Sequence, residues 1–423
     1  MPDRQTTTVL VMHAHVIAAV ACIRSLGRAG YRVIACSPQA DALGFYSNYT
    51  SESLVHPPYR DQADFRRWLD ETVDRHRIDV IVPTEELLLT LLPDIARYAD
   101  LLPCSTEPDI VRLCFSKYRL FERFIAASRC TALHPLGEHL PRTWLVDPHT
   151  APVVLAELPA DTPLYLKADA LLATDHRGSV VRRVHPREID RSALEALLAQ
   201  YHAFILQEAV PGVGVGAFFL QWQDRVLASF MHRRLHEVPH TGGVSSYRTA
   251  WWHRPIYEDA LARLRHLGWQ GIAMFEYRWD PATDEFHLLE MNSRYWGSMH
   301  LALYAGVDFP RLWIDAFIGL AVRPVERFRT DVTCRNTFPG ELRHLGSRLR
   351  DGRVPLAEKL ASLVEFAALS ANPHVKSDLW FPGDRQLYLR GLCQYLGSKA
   401  PRRSQRRLSP AADAPAPGAR APR

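Results

Sequence analysis

The chain has 423 residues, 47% of them hydrophobic and 23% charged, an ordinary globular composition spread over more length than one core accommodates, so two or three domains are expected. The net charge is +5, but the excess sits in a Pro/Ala tail, where seven basic residues from Lys399 onward face a single Asp413. That distribution is not the footprint of a nucleic-acid groove. No apolar run is long enough to span a membrane, and seven scattered cysteines without a C-x-x-C pair suggest reduced thiols in a cytoplasmic protein, not a zinc ribbon or a redox dithiol.

In chain order, residues 8–15 open with an apolar run that predicts a buried strand. A helical pattern follows to Gly30, and Tyr31–Ser37 predicts a second strand. A helix over about 61–77 leads to the run Asp79–Pro83, with Thr84 as the cap of the next helix. This alternation predicts a parallel sheet with helices on both faces. No G-x-G-x-x-G follows the first strand, and Gly27 and Gly30 lie at the end of the helix, which disfavours a dinucleotide site. His13 and His15, on the loop after that strand, have no third ligand nearby in sequence and read as a substrate-side loop or plain surface. Ser116 caps a helix running through Phe124, with Leu120, Phe121 and Phe124 on one face. Strands are predicted at 163–168, 203–207, 216–222 and 225–231, an amphipathic helix at 256–267, and two further strands at 271–279 and 286–292 joined by the turn-rich segment 280–285. Beyond about 325 the pattern is mostly helical, and from about 399 the composition is that of a disordered tail.

The two last strands carry the most informative residues. Alternation puts Ile272, Met274 and Glu276 on one face of the first, and Leu288, Glu290 and Asn292 on one face of the second. With the turn centred near Thr283, Glu276 falls close to opposite Glu290. Facing like charges destabilise a sheet, so a cation belongs between them unless both point to solvent on an edge hairpin. Two carboxylates and an amide oxygen form a hard, oxygen-only set suited to Mg²⁺. Arg294, two residues past Asn292, is placed to stabilise charge on a transferring phosphoryl group. Upstream, His236-Glu-Val-Pro-His240 matches H-E-x-x-H, a zinc-protease pattern that works only on a helix. Pro239 and Thr241-Gly-Gly243 would break that helix, and Arg225–Met231 reads as a strand, so a protease is disfavoured.

The string Glu276…Glu290-Met-Asn292-Ser-Arg294, followed by Tyr-Trp-Gly-Ser298, resembles the metal-binding signature of the ATP-grasp superfamily. It most resembles the carboxylate–amine ligase branch, and the resemblance covers roughly residues 1–325. It implies an N-terminal Rossmann-like α/β domain (1–110), an ATP-grasp domain of two α+β subdomains (111–325), a helical C-terminal extension (326–398) and a disordered basic tail (399–423). The cofactors implied are ATP and Mg²⁺, with Mn²⁺ as an alternative, and the metal ligands are Glu276, Glu290 and Asn292. Lys117 and Lys167 would meet the phosphates, and Gln207, Glu208 and the backbone of Ala209 and Val210 the adenine. Arg233 would help neutralise the phosphates, and Arg294 would steady an acyl phosphate. Arg234 and the loop bearing Gly242, Gly243 and Ser245 would hold the substrate.

Two departures stand out. The phosphate-covering loop, 171–178, has one glycine, and Val213-Gly-Val215 stands where many members carry an acidic ribose ligand. The implied activity joins a small-molecule carboxylate to an amine. A kinase or carboxylase on the same site, or an ATP-binding module with degenerate catalysis, are the alternatives. The identities of the substrates, the oligomeric state and the role of 326–398 are not written in the sequence.

Overall fold

A computed structural model describes residues 3–130, 134–174 and 178–399. The tail beyond Lys399 and residues 175–177 of the expected phosphate-covering loop lie outside them. Strands β1 (Thr8–Val11), β2 (Arg32–Ser37), β3 (Glu52–Val55) and β4 (Val80–Val82) pair in parallel in the order β3-β2-β1-β4. β1 and β4 are buried throughout, as continuous apolar runs in a covered parallel sheet must be. Thr84 caps the helix Glu85–Leu91 by accepting the Leu87 N–H at 3.1 Å. The carboxyl end of this sheet therefore presents His13, His15, Glu85 and Glu86 to the rest of the molecule.

A second, antiparallel sheet has the order β5-β8-β6-β7. Its strands are β5 (Thr143–Val146), β6 (Leu164–Ala168), β7 (Val180–Val184) and β8 (Phe204–Glu208). It has its own core of Trp144, Val146, Leu166, Phe204 and Leu206. The third sheet contains β9 (Val213–Trp222), β10 (Arg225–Val238), β11 (Val244–Ala250), β12 (Gly271–Trp279), β13 (Phe286–Asn292), β14 (Thr333–Arg335) and β15 (Val375–Ser377). These are ordered β13-β12-β9-β10-β11-β14-β15. β9 and β10 turn through Gln223 and Asp224, both at positive φ, the geometry of a tight hairpin that follows strand twist.

The C-terminal region is less of an appendage than a mostly helical pattern suggests. β14 and β15 extend the large sheet, and Leu379, Phe381 and Leu387 are buried. Arg24 donates to Asp384 at 2.8 Å and to the carbonyls of Asp378 and Leu379 at 2.6 and 3.0 Å. Arg248 pairs with Asp378. Each of these charges is buried, so the segment 378–387 locks the parallel sheet's first helix, Ile17–Arg28, to the large sheet.

Candidate active site

β12 and β13 pair with Glu276 directly opposite Glu290. A register shift follows, so that Tyr277 pairs with Leu288 and Leu289 is the extra residue of a bulge. The bulge corrects strict alternation on β13: Leu288 joins Tyr277 in the core, while Glu290 turns to the opposite face with Glu276. It also frees the Leu289 carbonyl, which accepts from Lys167 Nζ at 2.8 Å. Lys167 further donates to Gln207 Oε1 at 2.6 Å. Lys117 Nζ lies 3.5 Å from Glu290 Oε2. Burial opposes ionisation of Glu290, yet the charges of Lys117 and Lys167 hold its carboxyl down to about 2. Burial likewise brings Lys167 down to about 8 against the pull of Glu290. For Lys117 burial is again the largest single cause, but Glu290, Asp169 and Glu85 together outweigh it, and its pKa rises.

The helix Lys117–Ala127 delivers Lys117 from its first turn, where a cation is unfavourable to the helix dipole. Ser116 caps that helix through the Arg119 N–H at 3.2 Å and donates to Asp169 at 2.9 Å. Asp169 also accepts the Tyr118 N–H at 3.1 Å. This buried carboxylate, two residues past Lys167, ties both lysines to one frame, and sequence reading passed over it.

Arg234, not Arg233, reaches the carboxylates. In the ladders His232 and Glu276 both pair with Gly216, whereas Arg233 pairs with Val215, itself opposite Tyr277. Arg233 therefore points to the other face, away from Glu276 and Glu290. Arg234 donates to Glu276, to Glu237 at 3.2 Å and to the Gly243 carbonyl at 2.8 Å. To do so it crosses β9 over Gly214, where a Cβ would lie 2.6 Å from Arg234 Cδ. The residue that stands near the expected acidic ribose ligand is thus a glycine for room. Gly242, at positive φ, lies beside Arg278. Ser245, on β11, pairs with Glu237 of β10.

H-E-x-x-H lies largely on strand β10, and its two histidines meet Glu341 at 3.0 Å and Asp351 at 3.2 Å. Arg294 donates to Asn292 Oδ1 at 3.1 Å and lies 3.5 Å from Glu85, so it joins the hairpin to the carboxyl end of the parallel sheet. His13 and His15 flank this junction with ring centroids 5.1 Å apart. Burial, partly offset by Glu86, lowers the His13 pKa to about 4. In the expected hinge, the Ala209 N–H donates to the Pro163 carbonyl at 2.9 Å, which removes that donor from an adenine contact. Gln207 is buried and serves Lys167, while Glu208 closes β8 and Val210 follows in the connection to β9.

The residues present fit a divalent cation. Glu276 and Glu290 face one another, and the Asn292 amide lies 3.4 and 3.1 Å from them. The Asn292 oxygen accepts from Arg294 at 3.1 Å, and it would give up that bond to turn toward the same point. No group of three acidic, histidine or cysteine ligands occurs among the described residues, so a cation held here would need further oxygen ligands from outside the chain.

The architecture is that of the ATP-grasp fold, and one segment of the chain matches an ATP-grasp family model. Residues 202–337 match the family model described as ATP-grasp in the biosynthetic pathway with Ter operon. No curated protein matches the sequence. Among solved structures, N5-carboxyaminoimidazole synthetase from Staphylococcus aureus superposes with a TM-score of 0.57 at 13% identity, over 78% of this chain and 82% of that one. L-amino acid ligase from Bacillus licheniformis gives 0.54 at 15%, over 78% and 79%. Biotin carboxylase from Campylobacter jejuni gives 0.57 at 14%, over 77% and 74%. At such identities the likeness establishes the fold. Among the described residues no helix is long and apolar enough to cross a membrane.

Proposed function

We propose that the protein is an ATP-dependent carboxylate–amine ligase that works through an acyl phosphate. The observation that carries this reading is the Glu276–Glu290 register with Lys117 and Lys167 converging on Glu290. Such a site has no evident structural purpose, because it concentrates charge where burial opposes it. A divalent cation held by Glu276, Glu290 and Asn292 would supply charge neutralisation between the phosphates. Lys117 and Lys167 bind the phosphates and orient them, and Arg234, which donates to Glu276, holds that carboxylate in place. Arg294 sits between the hairpin and the parallel sheet, where it can steady the carboxylate substrate. An oxygen of that carboxylate attacks the γ-phosphorus as the bond to ADP breaks. The amine nitrogen then forms a bond to the acyl carbon, inorganic phosphate leaves, and the nitrogen loses a proton to solvent. Catalysis in this scheme is positioning and electrostatics, with no side-chain nucleophile.

The test is ADP release with Mg-ATP, screened against pools of amino acids, sugar acids and amines. ADP that needs both acid and amine supports the ligase. ADP driven by bicarbonate, or by a single phosphoryl acceptor without amine, would replace it with the carboxylase or kinase reading. Glu290→Ala is the control and is expected to lower turnover about a hundred- to a thousandfold with unchanged circular dichroism; retained activity refutes the metal assignment.

A further inference from the structure

A cleft of about 320 Å³ opens between β10 and the helices Leu342–Arg350 and Leu356–Ala371. We infer that it is the acceptor-substrate site, and that it takes a small zwitterion carrying both a carboxylate and a protonated amine, as a free amino acid does. This inference rests on the ligase reading above. The volume is at the lower end for small-ligand pockets, roughly 300–1,000 Å³. One wall is formed by Arg234, Glu237 and Arg278 from the large sheet, the other by His344, Arg348 and Glu365 from the helices. Acidic and basic groups alternate around it: Glu237 lies 3.2 Å from Arg234 and 3.1 Å from Arg278, and Glu365 lies 3.4 Å from His236. A purely anionic ligand would meet the glutamates and a purely cationic one the arginines. A ligand with both charges can satisfy both sets.

The position of the cleft fits the chemistry. Arg234 contacts Glu237 inside the cleft and Glu276 at the metal carboxylates, so a single guanidinium separates the bound ligand from the place where an acyl phosphate forms. The outer wall is fixed in place, not merely adjacent. The His236 and His344 rings stack at 4.3 Å and 3°, His344 bonds the Glu237 carbonyl at 2.7 Å, and His236 meets Glu341 at 3.0 Å. That outer wall also lies beyond residue 337, where the family match ends, so acceptor choice belongs to a part of the chain outside the shared signature.

The test uses the full chain, Mg-ATP, the carboxylate pools of the screen above as acyl donors and the twenty proteinogenic amino acids as acceptors, with hydroxylamine as a second nucleophile that carries no carboxylate. Hydroxylamine traps an acyl phosphate as a hydroxamate without needing the cleft. Arg348→Ala and Glu365→Gln, neither of which touches the metal or phosphate residues, are expected to raise KM for the amino-acid acceptor about ten- to a hundredfold. KM for ATP and the hydroxamate rate should stay at wild-type levels. Saturation-transfer NMR of the same amino-acid pool should show binding to wild type that both variants lose. Equal loss of hydroxamate and amide formation, or a raised KM for ATP, would overturn the acceptor assignment. Amino acids that bind in the cleft of a wild-type chain making no hydroxamate would instead sink the ligase reading while leaving the ligand class standing. Absence of binding would sink the ligand class itself.

Discussion

Lys167 is buried against Gln207 and the Leu289 carbonyl, and burial brings its pKa from the usual lysine value to about 8. The sign follows directly: the ammonium is charged below about pH 8 and neutral above it. Apparent ATP affinity should therefore fall as pH rises through that value, and Lys167→Arg, charged throughout, should lose this dependence; a profile of ATP binding against pH checks both. Gly214 is a second residue whose chemistry lies in what it lacks. A side chain there would strike Arg234 Cδ and Glu237 Oε1, each 2.6 Å from the added carbon. Gly214→Val should push Arg234 off its path to Glu276 and reduce turnover about tenfold with little change in melting temperature. Both residues were visible as letters. Lys167 could be singled out because it ends an apolar run, whereas nothing local marks Gly214, whose constraint comes from an arginine one strand away.

At the scale of elements, the hairpin β12–β13 and the helix Lys117–Ala127 show what periodicity can and cannot deliver. The bounds of both strands, and the pairing of Glu276 with Glu290, follow from alternation and turn length. The bulge at Leu289 does not, because an extra residue in one strand costs nothing that hydropathy records. It nevertheless decides which face Leu288 joins and supplies a carbonyl to Lys167. The same limit explains why alternation alone does not say which of Arg233 and Arg234 meets Glu276, since neighbouring arginines on a strand swap faces with a one-residue change of register. The helix behaves as its cap predicts, but Ser116 has a second duty toward Asp169. Ser116→Ala should lower stability by about 1 kcal/mol, measured by urea denaturation, and also raise KM for ATP because Lys117 is carried on the loosened turn.

Across the whole molecule, the segment 378–387 is the keystone that composition concealed. Arg24, Asp384, Arg248 and Asp378 are buried together, and removing one partner leaves a buried charge uncompensated. Asp384→Ala should cost about 3–5 kcal/mol, seen as a large fall in melting temperature, and a chain truncated at residue 341 should fail to yield soluble protein. A variant as stable as wild type would show that the parallel sheet and the large sheet hold together without this network.

The sequence by itself marked the strands β1, β2, β4, β6, β8, β9, β10, β12 and β13, the opposed carboxylates and the dismissal of the H-E-x-x-H string, but not β3, β5, β7, β11, β14 or β15. The features it marked are written in local periodicity, capping and breakers, which act over a few residues. Only the tertiary structure decided which arginine meets Glu276, what Asp169 and Gly214 are for, and that residues 342–371 close a cleft beside the carboxylates. These depend on contacts between residues far apart in the chain, where packing and buried charge, not local propensity, choose the partner.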